Sequence, residues 1–270
     1  MHRLSSVKIG QTKVIQGQKP LVAMTAYDYT TAKLIDSLVD IVLVGDSLGM
    51  VIQGNENTLS VTVEDMIYHS RCVAKGLEKA HLVVDMPFMS YQPSIEVALK
   101  NAGRMLAEGK GQSVKIEGGV GMAATVARLV EVGIPVMGHV GLTPQSVNAF
   151  GGYKVQGRTE SQRNSILEDA LAIEDAGAYA LVLEGIPTEL SKVITERLKI
   201  PTIGIGAGVH CDGQILVIQD VLGLNVDFLP KFVKKYAELA KQIPAAIEAY
   251  ATEVREKRFP TDEHSFHVNT

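Results

Sequence analysis

The chain has 270 residues, 46% of them apolar, and a formal net charge of −4. That is length enough for a large buried core, and the slight acidity excludes the basic face a nucleic-acid binder needs. Two cysteines, Cys72 and Cys211, stand far apart without metal-ligand spacing, which argues against a disulfide framework and for a reducing compartment.

The N-terminal MHRLSSVKIGQTKVIQGQKP is polar and lacks the apolar centre of a signal peptide. No apolar run approaches the roughly 18 residues of a membrane span. Strands are then predicted at 21–28, 40–47, 81–87, 113–119, 135–141, 179–185, 201–208 and, less clearly, 214–223. Helical patterns follow the first six in turn: TAKLIDSLV, VEDMIYHSRCVAKGL, PSIEVALKNAGRMLAEG with Pro93 as an early-turn residue, MAATVARLVEVG, QRNSILEDALAIEDAGA and TELSKVITERL. Alternation repeated about eight times predicts parallel strands with right-handed crossovers, hence a (β/α)8 barrel occupying 1–270 as a single domain. A doubly wound sheet is the alternative. GIGAG (204–208) misses the G-x-G-x-x-G spacing of a dinucleotide fold; it reads as a glycine-rich strand rather than a phosphate cradle, since no lysine follows. The tail from about Phe228 reads as extra helices packed outside the barrel. The segment 142–158, LTPQSVNAFGGYKVQGR, reads as a long polar loop at the mouth.

Five of the predicted strands end on an ionisable residue: Asp46, Asp85, Glu117, His139 and Glu184. One acid at a strand end commonly caps the next helix. Five in succession weaken that reading, because in a barrel these ends converge on the face that carries the active site. Four carboxylates at one mouth repel each other and require positive charge. Lys115 lies two residues before Glu117 and shares its side of the strand. One lysine does not balance four acids, and hard oxygen donors without a cysteine or histidine cluster point to Mg2+, with some acids reached through water. His69, His81, His210, His264 and His267 have no ligand-like spacing.

The motifs VGDSLGM, D-x-PFM-SY, VKIEGG, GHVGLTPQSVN-FGGYKVQGR, IGIGAG–DGQ-LV and the terminal EHSF together resemble the 3-methyl-2-oxobutanoate hydroxymethyltransferase (ketopantoate hydroxymethyltransferase) family, in order from about Thr25 to Phe266. The resemblance implies a TIM barrel of the phosphoenolpyruvate/pyruvate-utilising type and one Mg2+ per subunit on Asp46, Asp85 and Glu117. It implies that Asp46, Ser47, Asp85 and Lys115 hold the 2-oxo acid, with His139 a further pocket residue and Glu184 the catalytic base. It implies 5,10-methylenetetrahydrofolate as co-substrate, a cytoplasmic homo-oligomer, a decamer in well-known members, and the first committed step of pantothenate synthesis. One departure is the Lys-Gly-Gln of EGKGQSVKIEGG, where the family usually has a small apolar pair; it touches only the turn into the fourth strand. Two rivals are kept: a Mg-dependent lyase or mutase of the isocitrate lyase or phosphoenolpyruvate mutase type, and a non-catalytic scaffold barrel. Neither cysteine stands at an acid-bearing strand end, as the first would expect, and a scaffold need not tolerate such repulsion.

Overall fold

The structure, a computed structural model, describes Lys8, residues 19–226 and residues 229–268. The stretch ahead of Lys19, Lys8 apart, and the expected start of the tail at Phe228 lie outside the described residues. The chain falls into two compact units, the first ending at Ile218 and the second beginning at Gln219.

In the first unit eight parallel strands close into a barrel in sequence order. They are β1 Leu21–Thr25, β2 Ile41–Val44, β3 His81–Asp85, β4 Ser113–Glu117, β5 Val136–Gly141, β6 Ala180–Glu184, β7 Thr202–Ile205 and β8 Gly213–Leu216, with β8 returning to pair with β1. The first unit's helices are α1 Tyr29–Ile35, α2 Leu48–Val51, α3 Val63–Gly76, α4 Ile95–Ala107, α5 Ala123–Glu131, α6 Val147–Phe150, α7 Glu160–Asp175 and α8 Thr188–Arg197; α9 Ile218–Val221 starts on that unit's last residue, and α10 Leu239–Arg255 belongs to the second unit. Among the described residues no helix is long and apolar enough to cross a membrane.

The expected barrel is therefore present, with local differences. The run 214–223 is half strand and half helix: Thr25 Oγ1 takes the Ile218 N–H at 3.0 Å, and the chain then turns into α9. Pro93 is not in a helical turn. Ser94 caps α4, its side chain accepting from Val97 N–H, and Pro93 precedes it. The segment 142–158 is less of a loop than expected, holding a 3-10 turn at Pro144–Ser146 and α6. In 201–208, Gly204 lies in β7, whereas Gly206 and Gly208 take positive φ in the turn beyond it.

Strand alternation explains the barrel's filling. Leu21, Ala23, Ile41, Leu43, Val83, Met137, Ala180, Val182, Ile203 and Ile215 form one buried cluster. Side chains two residues apart share a face. The face of β3 that carries Val83 therefore also carries His81 below it and Asp85 above it. By the same rule Ser113, Lys115 and Glu117 of β4, Met137 and His139 of β5, and Val182 and Glu184 of β6 align. The apolar band is thus a middle layer, consistent with the stacked layers of such barrels. Beneath it His81 Nε2, Ser113 Oγ and the Tyr179 hydroxyl form a triangle of hydrogen bonds of 2.9–3.2 Å. Above it lies the ionisable layer.

Candidate active site at the barrel mouth

Asp85 and Glu117 stand at the last positions of their strands, and both are buried. Asp46 lies two residues beyond β2, in the turn, and not on the strand as the sequence suggests. Its backbone N–H donates to Asp85 Oδ2 at 3.0 Å. Gly45 makes this close approach possible: a Cβ there would lie 2.7 Å from Ser47 Oγ and 3.4 Å from Asp85 Oδ2. Ser47 Oγ in turn shares a 2.8 Å hydrogen bond with the Tyr27 hydroxyl.

Lys115 is buried among these groups, 3.1 Å from Asp85 Oδ1. Burial works against its charge. Asp85, Glu117 and Asp46 outweigh that and hold the ammonium above its ordinary range. It also donates to His139 Nδ1 at 3.0 Å. His139 sits in the interior of β5 rather than at its end, because β5 continues to Gly141. Its Nδ1 is 3.5 Å from Glu117 Oε1 and its Nε2 is 3.1 Å from Glu184 Oε2. Burial and Lys115 disfavour the imidazolium, Glu117 and Glu184 favour it, and the balance holds His139 above the usual histidine value. In the neutral form Nδ1 accepts from Lys115 and Nε2–H faces Glu184. Glu184 ends β6 at the rim, more exposed than the other three acids.

The structure thus brings all seven sequence-selected residues to one mouth. It adds Gln145, which no motif or spacing singles out. Its backbone N–H donates to Glu117 Oε2 at 3.0 Å. Its side-chain amide donates to Asp46 Oδ2 at 2.9 Å and to the Met86 carbonyl at 2.8 Å. Its Oε1 accepts from the Tyr91 hydroxyl at 2.7 Å and from Gln92 Nε2 at 3.0 Å. The only hint was its place in the polar segment after β5.

Burial, then Asp85, then Glu117 push the Asp46 carboxyl upward, and burial raises Asp85 against the opposing pull of Lys115. These acids are short of positive charge. Among the described residues no three His, Cys, Asp or Glu side chains form a ready cage for a metal ion. The direct three-carboxylate site is therefore not preformed. The donors do fit a hydrated divalent cation: all are hard oxygens, and Asp85 Oδ1 is buried yet accepts no hydrogen bond of good geometry. Mg2+ commonly takes only one or two direct carboxylates and keeps waters for the rest.

Comparison with known proteins agrees with this geometry. The profile of the family described as ketopantoate hydroxymethyltransferase matches residues 7–262. The 3-methyl-2-oxobutanoate hydroxymethyltransferase of Pelobacter propionicus is 58% identical over 255 residues, covering 94% of each chain. That of Paracoccus denitrificans is 56% identical, covering 95% of this chain and 93% of its own. Among solved structures, 2,3-dimethylmalate lyase, a PEP mutase/isocitrate lyase superfamily member, aligns with TM-score 0.59 at 14% identity, over 97% of this chain and 89% of its own. Phosphonopyruvate hydrolase, solved in complex with oxalate and Mg2+, aligns with TM-score 0.62 at 12% identity, over 97% and 93%. At such identities the structural likeness speaks for the barrel alone, whereas the full-length sequence match is decisive: the chain belongs to the ketopantoate hydroxymethyltransferase family.

Proposed function

We propose that this chain transfers a hydroxymethyl group from 5,10-methylenetetrahydrofolate to 3-methyl-2-oxobutanoate, giving 2-dehydropantoate and tetrahydrofolate in pantothenate synthesis. The observation that carries the reading is the group of buried carboxylates Asp46, Asp85 and Glu117 around Lys115, in a chain 58% identical to an enzyme of that name.

The substrate places a carboxylate beside a ketone. Lys115 and Ser47 bind and orient these oxygens, and Lys115 offsets the negative charge that develops on them. Asp46, Asp85 and Glu117 would hold one Mg2+ per subunit, some through water. When bound, that ion supplies Lewis acidity at the substrate's oxygens. Glu184 stands at the open rim and takes the C3 proton, with His139 fixing its carboxylate from below. C3 then bonds to the methylene carbon. That carbon's two bonds to folate nitrogens give way to this C–C bond and to one C–O bond from water. The C3 proton and the remaining water proton end on the two nitrogens.

The protein acts, on this reading, as a cytoplasmic homo-oligomer, a decamer by family resemblance, and sedimentation as a monomer at working concentration would refute the assembly. The function is tested with 3-methyl-2-oxobutanoate in D2O. Exchange at C3 without folate marks the proton transfer and rules out a scaffold. Added methylenetetrahydrofolate must then yield 2-dehydropantoate. Cleavage of a C–C bond in its place would support the lyase.

A further inference from the structure

Beside the carboxylate layer lies a cavity of about 260 Å3 between the ends of β4 and β5 and the first half of α7. We infer that this cavity holds the pterin ring of the one-carbon carrier; the inference rests on the transfer proposed above. Whole drug-sized ligands occupy roughly 300–1,000 Å3, so a space of this size suits one ring system and leaves the rest of the carrier outside.

Position is the first argument. The cavity floor is Gly118 and Gly119, which directly follow Glu117, and Gly141, which stands opposite Glu184 in the β5–β6 register. Two residues of chain span roughly 7 Å. Val140, whose side chain faces away from that of His139, also lines the cavity, so it lies on the helix side of the barrel wall, and a flat bicycle seated there would meet the mouth over the Gly118–Gly119 rim.

Chemistry is the second. A reduced pterin presents two adjacent donors, a ring N–H and an exocyclic amino group, and a carboxylate accepts such a pair side by side. Asp169 lines the cavity. Its Oδ1 accepts from Val120 N–H at 2.9 Å, which fixes the carboxylate in place. The carboxylate retains free lone pairs on Oδ1 and the whole of Oδ2. Gly119 is shaped to this arrangement: a Cβ there would fall 1.9 Å from Asp169 Oδ1. Phe150 and Ile166 give the ring apolar walls, and Ser165 adds a hydroxyl. Asp169 is more than a cap for the Val120 turn, since a cap needs no cavity and no apolar walls around it.

The test uses the full chain with methylenetetrahydrofolate in turnover and tetrahydrofolate in calorimetry. Asp169→Asn keeps an oxygen for Val120 N–H but loses the paired charged acceptor. Its KM for methylenetetrahydrofolate should rise roughly tenfold or more, the worth of hydrogen bonds to a charged group, while the KM for the 2-oxo acid stays within about twofold. Ser165→Trp, on an exposed helix position, should fill the cavity and abolish tetrahydrofolate binding. A 6-methyltetrahydropterin should compete with the carrier, and p-aminobenzoylglutamate should not. Parent-like folate KM in Asp169→Asn, parent-like binding in Ser165→Trp, or competition by the tail alone would each overturn the placement. A parent that binds tetrahydrofolate in this cavity but transfers nothing would overturn the proposed reaction and leave the cavity assigned. A parent that binds no tetrahydrofolate would overturn both.

Discussion

The side-chain amide of Gln145 donates to Asp46 Oδ2 at 2.9 Å, joining residues 99 positions apart. Asp46 is thereby held in place by the segment after β5, three strands further along the chain. Gln145→Ala would strip partners from Asp46 and the Met86 carbonyl together, and would leave the Tyr91 hydroxyl donating only over its longer bond to the Glu117 carbonyl. Buried polar groups left unpaired cost about 1–3 kcal/mol each, though not additively. Urea unfolding should show a loss of about 2 kcal/mol or more, and the KM for the 2-oxo acid should rise. An unchanged midpoint and KM would show that the amide is dispensable.

Glu184→Gln separates proton transfer from binding. The amide keeps an oxygen toward His139 Nε2 and the same shape, but takes no proton. Exchange at C3 in D2O should fall by roughly 10²–10⁴-fold, the usual worth of a positioned general base. Binding of Mg2+ and of 3-methyl-2-oxobutanoate, followed by calorimetry, should persist. Exchange at the parent rate would move the base elsewhere, with His139 the next candidate and a histidine-like pH profile its signature.

Asp85→Asn tests the cation. The variant can still accept from Asp46 N–H, yet it removes the negative charge nearest Lys115. Turnover and its dependence on Mg2+ should disappear together, and a chelator should silence the parent reversibly. Full parent activity in excess chelator would refute the metal assignment.

Stability should depend on pH through Asp46. Burial, with Asp85 and Glu117 nearby, pushes its carboxyl up to about 8. Over the window from roughly pH 4 to 8 the folded protein holds a proton that the unfolded chain has lost. The stabilisation is fully present below the unfolded value and lost as pH rises through the folded one. Without added cation, Tm should fall between pH 5 and 8. Mg2+ should oppose the fall by favouring the ionised form, and Asp46→Asn should flatten it. A variant with the parent's slope would place the proton on another group.

The barrel and most of its mouth were legible because they follow from period-2 alternation and glycine punctuation. Asp85, Glu117 and Glu184 sit where an apolar run ends, and Lys115 falls on the same face by counting. His139 stands on the predicted run 135–141, which the strand Val136–Gly141 matches, so the residue lies inside the strand rather than closing it. The apolar run predicts Asp46 on β2, whereas the chain leaves the strand at Gly45. Gln145 was invisible: an uncharged polar residue in a polar segment acquires its role only when β2, β3 and β4 are brought around it. The run 214–223 predicts a strand throughout and contains helix α9, because an apolar run of mixed branching fits either period.

The contacts that hold the mouth together span 24, 28, 39 and 99 residues of sequence. None closes within a single strand–helix repeat. With Glu184 reaching His139 from β6, the site is complete only when the first six strands have docked. By the same logic, occupancy of the mouth should be felt as one event. Bound substrate should slow amide exchange across β2, β3, β4 and β5 by a common factor, because opening any of them dismantles the contacts of the others.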